Sequence, residues 1–511
     1  MAATAVTPAT LASLYRREPP DDLRLSKIDS FGTTHCGRYL IFFPTTVTTT
    51  LEQLRAGQLA GARELKLACG LSEFPREIFD LADTLEVLDL SNNALTTLPD
   101  DLPRLRKLRI LFASNNPFTE LPGVLGECVQ LSMIGFKSNR IRAVPARALP
   151  PLLRWLILTD NDIERLPAEL GRCTQLQKLM LAGNRLRALP EELAACTRLE
   201  LLRLAANRFD ALPRCLLRLP RLSWLAYAGN PFNAALEQAA LVDAPISGIR
   251  WDALRLEQPL GEGASGVIHR ATLHAQSEPA PRAVAVKLFK GAVTSDGLPD
   301  CEMAACIRGG EHANLIPVLG KVIAHPSDSH GLVMGLIDPR FSNLAGPPSL
   351  ASCTRDVYRD DARFDLATVL GIASGIANVA SHLHRRGVMH GDLYAHNILH
   401  GGAGRALLGD FGAASFFDAG DRELGIALQR LEVRAYGCLL EELLERCAAP
   451  GGLHGQPDIA APLAALKTRC LSEDIDSRPL FDEIAASVAS FDRHVRNRHV
   501  RNRHLREGVK P

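Results

Sequence analysis

Four side chains and one glycine-rich turn in the second half of this chain have the types and spacing needed to move a phosphoryl group. Gly261-Glu262-Gly263-Ala264-Ser265-Gly266-Val267 follows the pattern G-x-G-x-x-G-x-V. Glycines at those positions let a backbone lie close over phosphates. Ala283-Val284-Ala285-Val286-Lys287 then places a lysine at the end of an apolar run, where it can hold α and β oxygens. Far downstream, Asp392 and Asn397 share the spacing D-L-x-x-x-N, and Asp410 opens Asp-Phe-Gly. In that arrangement Asp392 would accept a hydroxyl proton, while Asn397 and Asp410 would hold Mg²⁺ against a triphosphate. Mg²⁺ favours such oxygen donors, with water and phosphate completing its shell. Each piece alone is weak; their order over about 150 residues is specific, because each motif is confirmed by its context.

These groups need elements to carry them. The run ending at Lys287 reads as a strand, and its ammonium needs a carboxylate to position it. Glu302, early in the helix-like stretch CEMAACIRGG, is the best candidate; Glu311 sits beside Gly309 and Gly310, where a helix should already have ended. Leu366 to Arg386 has apolar residues at helix spacing and delivers the chain into the Asp392 loop.

The first half has a different grammar. L-x-x-L-x-L-x-x-N-x-L starts at Leu85 and returns at Leu108, Leu131, Leu153, Leu176, Leu199 and Leu222, at steps of 23 residues with one of 22; Leu65 and Leu67 begin a weaker copy, for about eight repeats. Such a period predicts a solenoid in which each repeat is one coil with a short parallel strand. Leu88 and Leu90 point inward by strand alternation, and the column Asn93, Asn116, Asn139, Asn161, Asn184, Asn207 and Asn230 can satisfy backbone groups where the chain leaves each strand. Cys128, Cys173 and Cys196 hold a repeat position that Leu fills elsewhere, so they read as small buried hydrophobes. The positions flanking the inward leucines should form the concave face. One column is Val87, Ile110, Met133, Trp155, Lys178, Leu201 and Trp224; the next includes Phe112, Ile157, Met180 and Arg203. A large apolar face marks a binding surface, with Trp155, Ile157, Met180, Leu201 and Trp224 as candidate partner contacts. The competing reading is that the chain's own other half covers it.

On these residues, 51–235 resembles the leucine-rich-repeat family and 251–490 resembles a eukaryotic-type protein kinase domain. The expected fold is therefore multidomain: an α/β leucine-rich-repeat solenoid followed by an α+β bilobal kinase-like domain. The resemblance implies a Lys287–Glu302 ion pair, phosphate cover from Gly261, Gly263 and Gly266, and a nucleotide site lined by Val267, Ala285, Met334 and Leu399, with Met334 at the gatekeeper position. It also implies catalysis by Asp392 with Lys287 and Glu302, and metal held by Asn397 and Asp410. Glu432 to Gly437 resembles the family's D-x-x-x-x-G helix start, and Arg478-Pro479 its late R-P. The cofactors implied are ATP and Mg²⁺, and the activity is that of a serine/threonine protein kinase.

Three departures bear on mechanism. Gly391 replaces the arginine of H-R-D, so control through a phosphorylated loop is not expected. Tyr394 stands where serine/threonine kinases carry a lysine. No A-P-E follows Asp-Phe-Gly, and 22 positions separate Asp410 from Glu432, so the peptide-docking platform is reduced and Arg478 loses its usual glutamate. These features also resemble small-molecule phosphotransferases, or a weakly active nucleotide-binding scaffold.

The chain has 511 residues and a formal net charge of +1, which gives no global field for nucleic acid or an anionic membrane. The first residues lack the pattern of a signal peptide, and no uninterrupted apolar stretch of spanning length stands out, so a cytoplasmic location is expected. Segment 1–50 should supply a cap, 236–250 a linker, and 491–511 a basic, solvated tail. The Ala-, Leu- and Arg-rich wording suggests a bacterial member.

Overall fold

The computed structural model describes residues 51–491 and 493, apart from 243–245, 264, 275–279, 292, 295, 403 and 449–456. The expected cap over 1–50 and nearly all of the basic tail lie outside the described residues.

After a short helix, α1 (Leu51–Arg55), the repeats build one parallel sheet of eight three-residue strands in chain order. These are β1 (Glu64–Lys66), β2 (Val87–Asp89), β3 (Ile110–Phe112), β4 (Met133–Gly135), β5 (Trp155–Ile157), β6 (Lys178–Met180), β7 (Leu201–Arg203) and β8 (Trp224–Ala226). Equivalent residues stand in register, as in Leu88 with Leu111 and Leu179 with Leu202. The register follows from the repeat: a slip of one residue would turn every inward leucine outward. The central leucines are fully buried, and 3₁₀ turns close the outer side of most coils. Cys128, Cys173 and Cys196 are buried free thiols at the ends of such turns. Burial pushes the Cys173 thiol up to about 11 and the other two to about 12, which makes all three inert.

The asparagine column does what its chemistry suggests. Asn184 Oδ1 accepts from Ile163 N (3.0 Å), and its Nδ2 donates to the carbonyls of Leu158 (2.8 Å) and Leu181 (2.9 Å). Asn93, Asn161, Asn207 and Asn230 bridge neighbouring coils in the same way. Asn184→Ala would strand three buried backbone groups. We expect a loss of about 1–3 kcal/mol, read as a lower urea midpoint.

Residues 236–250 are more than a linker. They contain most of α2 (Ala234–Val242) and β9 (Gly248–Arg250). β9 pairs in parallel with β13 (Val318–Ile323) and so joins the edge of the next sheet. The remaining strands of that sheet are β10 (Leu254–Glu262), β11 (Gly266–Leu273), β12 (Arg282–Phe289) and β14 (Gly331–Gly335), in the order β10-β11-β12-β14-β13-β9. One helix, α3 (Pro299–Gly309), accompanies this lobe.

The second lobe is mainly helical. α4 (Leu366–Arg385) is capped by Asp365, whose carboxylate accepts from Thr368 N (2.7 Å). It is the one described helix long and apolar enough to span a bilayer, and 72% of its apolar window is buried inside the fold. Around it lie β15 (Ser342–Asn343), β16 (Val388–Met389), β17 (Ile398–His400), β18 (Ala406–Leu408) and β19 (Ser415–Phe416), then α5 (Arg422–Glu445) and α6 (Pro457–Cys470). Glu432 was expected near a helix start. It lies in the middle of α5, which begins ten residues earlier behind the Asp421 cap. Its carboxylate nevertheless faces the catalytic loop.

The concave face is not open. Trp155, Met180, Leu201 and Trp224 are at most 3% exposed, and they share one apolar cluster with α4, α5 and the Asp392 loop; Ile157 packs against that cluster. The assignment of these five residues to an external partner is therefore corrected. The chain's own second half covers the patch.

Candidate active site

β12 carries Lys287, and α3 brings Glu302 to it. The ammonium and carboxylate form a buried ion pair. Glu302 thus takes the role for which Glu311, which is exposed, was the runner-up. At the start of β11, an added Cβ at Gly266 would lie 2.4 Å from the Leu288 carbonyl, so packing itself requires glycine. Gly261 and Gly263 have nothing within 4 Å of such a Cβ, which leaves room for a ligand to approach the backbone. Ala285 and Met334 are paired across β12 and β14, and Val267 lies on the adjoining β11. Leu399 lies on β17 of the other lobe.

The catalytic loop is tightly held. Asn397 Nδ2 donates to the Asp392 carbonyl (2.9 Å) and to Asp392 Oδ2 (2.7 Å). With its nitrogen donating to these two acceptors, Asn397 has its amide oxygen left as an acceptor, the kind of donor atom a metal takes. The His390 ring hydrogen-bonds to the Gly409 carbonyl (2.9 Å) and meets Phe411 edge-on at 5.1 Å. Asp410 has φ 60°, uncommon for a non-glycine residue, and Gly412 N donates to its carboxylate (3.2 Å). Residues in such sparsely populated backbone regions concentrate at functional sites. Behind the loop, Glu432 accepts from Gly391 N (2.7 Å) and from the His384 ring (2.7 Å). Burial raises its pKa, but the His384 bond and the other partners outweigh that and hold it below the usual carboxylate range.

The segment after Asp-Phe-Gly is reduced to β19, which pairs with β16, and a turn into α5. The solenoid fills the space beside it. Tyr227 N donates to Ser415 Oγ (2.9 Å), and the Trp224 ring stacks on Tyr394 at 4.2 Å and 6° while its Nε1 donates to the Leu393 carbonyl (3.3 Å). Arg478, expected to lack the family's usual glutamate, donates to the carbonyls of Ser472 (2.8 Å), Arg430 (3.1 Å) and Pro220 of the solenoid.

Two residues that sequence reading left among the apolar columns prove central. Arg203, on β7, is fully buried. Its Nε donates to Asp296 (2.9 Å), its Nη1 to the Gly391 carbonyl (3.1 Å), and its Nη2 to Asp392 Oδ1. Lys178, on β6, is equally buried and lies over the Trp155 ring at 4.4 Å. The available signal was two cations in columns otherwise rich in apolar side chains.

Burial pushes the Lys178 ammonium down to about 8; Arg203 pushes the same way, and Cys353, Asp392 and Asp356 oppose it. Unfolded, this lysine titrates near 10.4. Between those values the unfolded chain binds more protons, so stability attributable to Lys178 rises as pH increases from about 8 to about 10. We expect urea midpoints at pH 7.5 and 9.5 to show wild type gaining about 1–3 kcal/mol relative to Lys178→Met over that interval. Parallel pH responses would contradict this.

Comparison with known proteins agrees with the geometry. Residues 254–427 match the family model of protein tyrosine and serine/threonine kinases, and 62–118 match that of leucine rich repeats. Among curated relatives, a serine/threonine-protein kinase-like protein of Arabidopsis thaliana is 24% identical over 282 residues, which is 45% of this chain and 81% of that protein. Protein sevenless of Drosophila virilis is 29% identical over 34% of this chain and 7% of its own length. The serine/threonine-protein kinase mos of Gallus gallus is 26% identical over 34% of this chain and 50% of its own length. None of these supports the bacterial origin suggested by the wording of the sequence, and none favours a small-molecule phosphotransferase.

Proposed function

We propose that this chain, a leucine-rich-repeat region joined to a protein kinase domain, transfers phosphate from ATP to serine or threonine hydroxyls of protein substrates. The observation that carries the reading is that the Lys287–Glu302 ion pair, the Asp392–Asn397 bonds and the left-handed Asp410 are all formed in one chain. In this reading Lys287, fixed by Glu302, grips the α and β oxygens, and the glycine turn lies over the phosphates. Asp392 orients the acceptor hydroxyl and takes its proton as the new bond forms. Val267, Ala285, Met334 and Leu399 line the adenine site.

The residues present suit a divalent cation. Asn397 and Asp410 offer oxygen donors, and a small hard cation needs only one or two protein ligands beside phosphate and water. Mg²⁺ is the ion we assign, and when bound it would neutralise charge on the β and γ oxygens. The location we assign is the cytoplasm. A protein partner or substrate would meet the solenoid on a surface other than the covered columns.

Labelled ATP with a general protein acceptor tests the proposal. Label on serine or threonine in wild type, lost with Asp410→Asn, is expected. A wild type that binds nucleotide yet labels no protein would overturn it.

A further inference from the structure

We infer that the solenoid serves as this kinase's activation segment, and that Arg203 is the positioning residue through which it sets the catalytic carboxylate. The inference rests on the kinase reading above and extends it to a residue almost 190 positions before the catalytic loop.

The first support is what Arg203 joins. One guanidinium holds Asp296, the Gly391 carbonyl and the Asp392 carboxylate together in a fully buried site. A planar fork with five donors serves three acceptors along preset directions, whereas the three donors of an ammonium rotate and converge on one nitrogen. Asp392 is gripped on Oδ1 by Arg203 and on Oδ2 by Asn397, so the carboxylate plane is fixed.

The second support is the loop before α3. Thr294 Oγ1 accepts from Asp296 N (3.2 Å) and Gly297 N (3.0 Å), which shapes the turn that presents Asp296 to Arg203. Val293 and Leu298, on either side of that turn, press against Gly183 and Gly229 of the solenoid, where an added Cβ would lie 2.8 and 2.9 Å from them. Leu298 directly precedes α3, whose Glu302 pairs with Lys287. Arg203 therefore links the helix that positions the lysine to the loop that carries the base.

The third support is Gly391. Its φ is 71°, and a Cβ there would lie 2.5 Å from two carbonyl oxygens, Ala413 of the shortened segment and Leu225 of the solenoid. An arginine at 391 is excluded by the backbone of the solenoid, and Arg203 brings a guanidinium to the same loop from that solenoid. A device that merely blocked the site would be expected to disturb one of its alignments. Here the Lys287–Glu302 pair, the β16–β19 pairing and the Asp410 conformation are all formed with Arg203 in place.

The test uses the full chain with labelled ATP and casein, with turnover normalised to the folded fraction. Arg203→Ala is expected to lower kcat about 100-fold, the scale of a misplaced catalytic group, with KM for ATP within about twofold of wild type. Arg203→Lys should recover part of the loss, and Asp296→Asn should show a smaller fall in kcat. A purely structural role would reduce the folded fraction and leave normalised kcat unchanged, which would overturn the inference. So would an Arg203→Ala enzyme faster than wild type, the mark of an inhibitory plug. If Arg203→Ala does not fold, Arg203→Lys and Asp296→Asn decide by the same criterion. An inactive wild type would instead overturn the kinase reading itself.

Discussion

Asp392→Asn is expected to slow phosphate transfer by about 10²–10⁴-fold, the range for removal of a general base, while the thermal shift produced by ATP persists. Asparagine is the informative replacement. It keeps the size of the side chain and one oxygen that can still accept from Arg203, its amide nitrogen then facing the Asn397 donor, but it cannot take a proton. Both replacements remove the charge opposite buried Arg203, which keeps Asp296, but alanine would confound the result further, because it also strips the acceptor from two buried donors and leaves a cavity. Since Lys287 and the glycine turn are untouched, nucleotide binding should survive. Equal rates for Asp392→Asn and wild type would remove Asp392 from the reaction.

Trp224→Ala should be the most damaging single truncation at the junction of the two halves. The indole is 1% exposed, stacks on Tyr394 and donates to the Leu393 carbonyl. Loss of a buried aromatic side chain costs about 3–5 kcal/mol in transfer energy and cavity formation, and the stacked pair adds about 0.5–1.5 kcal/mol beyond area. Urea titration should show a large fall in midpoint. Trp224→Ala and Tyr394→Ala should also be non-additive, because they share one contact. A surface-like effect below about 0.5 kcal/mol would mean that the concave column is not a core. By contrast, Val129 on the solenoid exterior is 59% exposed, and its truncation should lie in that small range.

The contrast between these two residues also marks what could be read in the sequence. The solenoid was legible because its leucines and asparagines repeat locally, and one coil's rule predicts the next. The pairing of Lys287 with Glu302, and of Asp392 with Asn397, was legible because the motifs fix both residue type and order, down to Glu302 over Glu311. The burial of the concave columns was not, because the surface that covers them is built from residues far along the chain. Trp224 and Tyr394 each look like an exposed aromatic until they meet. The α5 start was missed because the expected frame placed an activation segment before Glu432. Asp421, followed by Glu423 and an apolar period, was the local signal for an earlier start. Gly391 was noticed as a departure, but the carbonyls that crowd it, Ala413 and Leu225, lie elsewhere in the chain, the second in the solenoid.

The stitching of the solenoid to both lobes has a mechanical consequence. It reaches the first lobe through β9, on the edge of that sheet, and through Val293 and Leu298; it reaches the second through Trp224 and Tyr227. A bilobal enzyme must breathe about its hinge to admit ATP and shed ADP. Because the solenoid holds contacts to both lobes, any separation of the lobes must also shift those contacts. Loosening them, for example by Leu298→Ala, is expected to change the rate of product release without touching a residue that contacts the product.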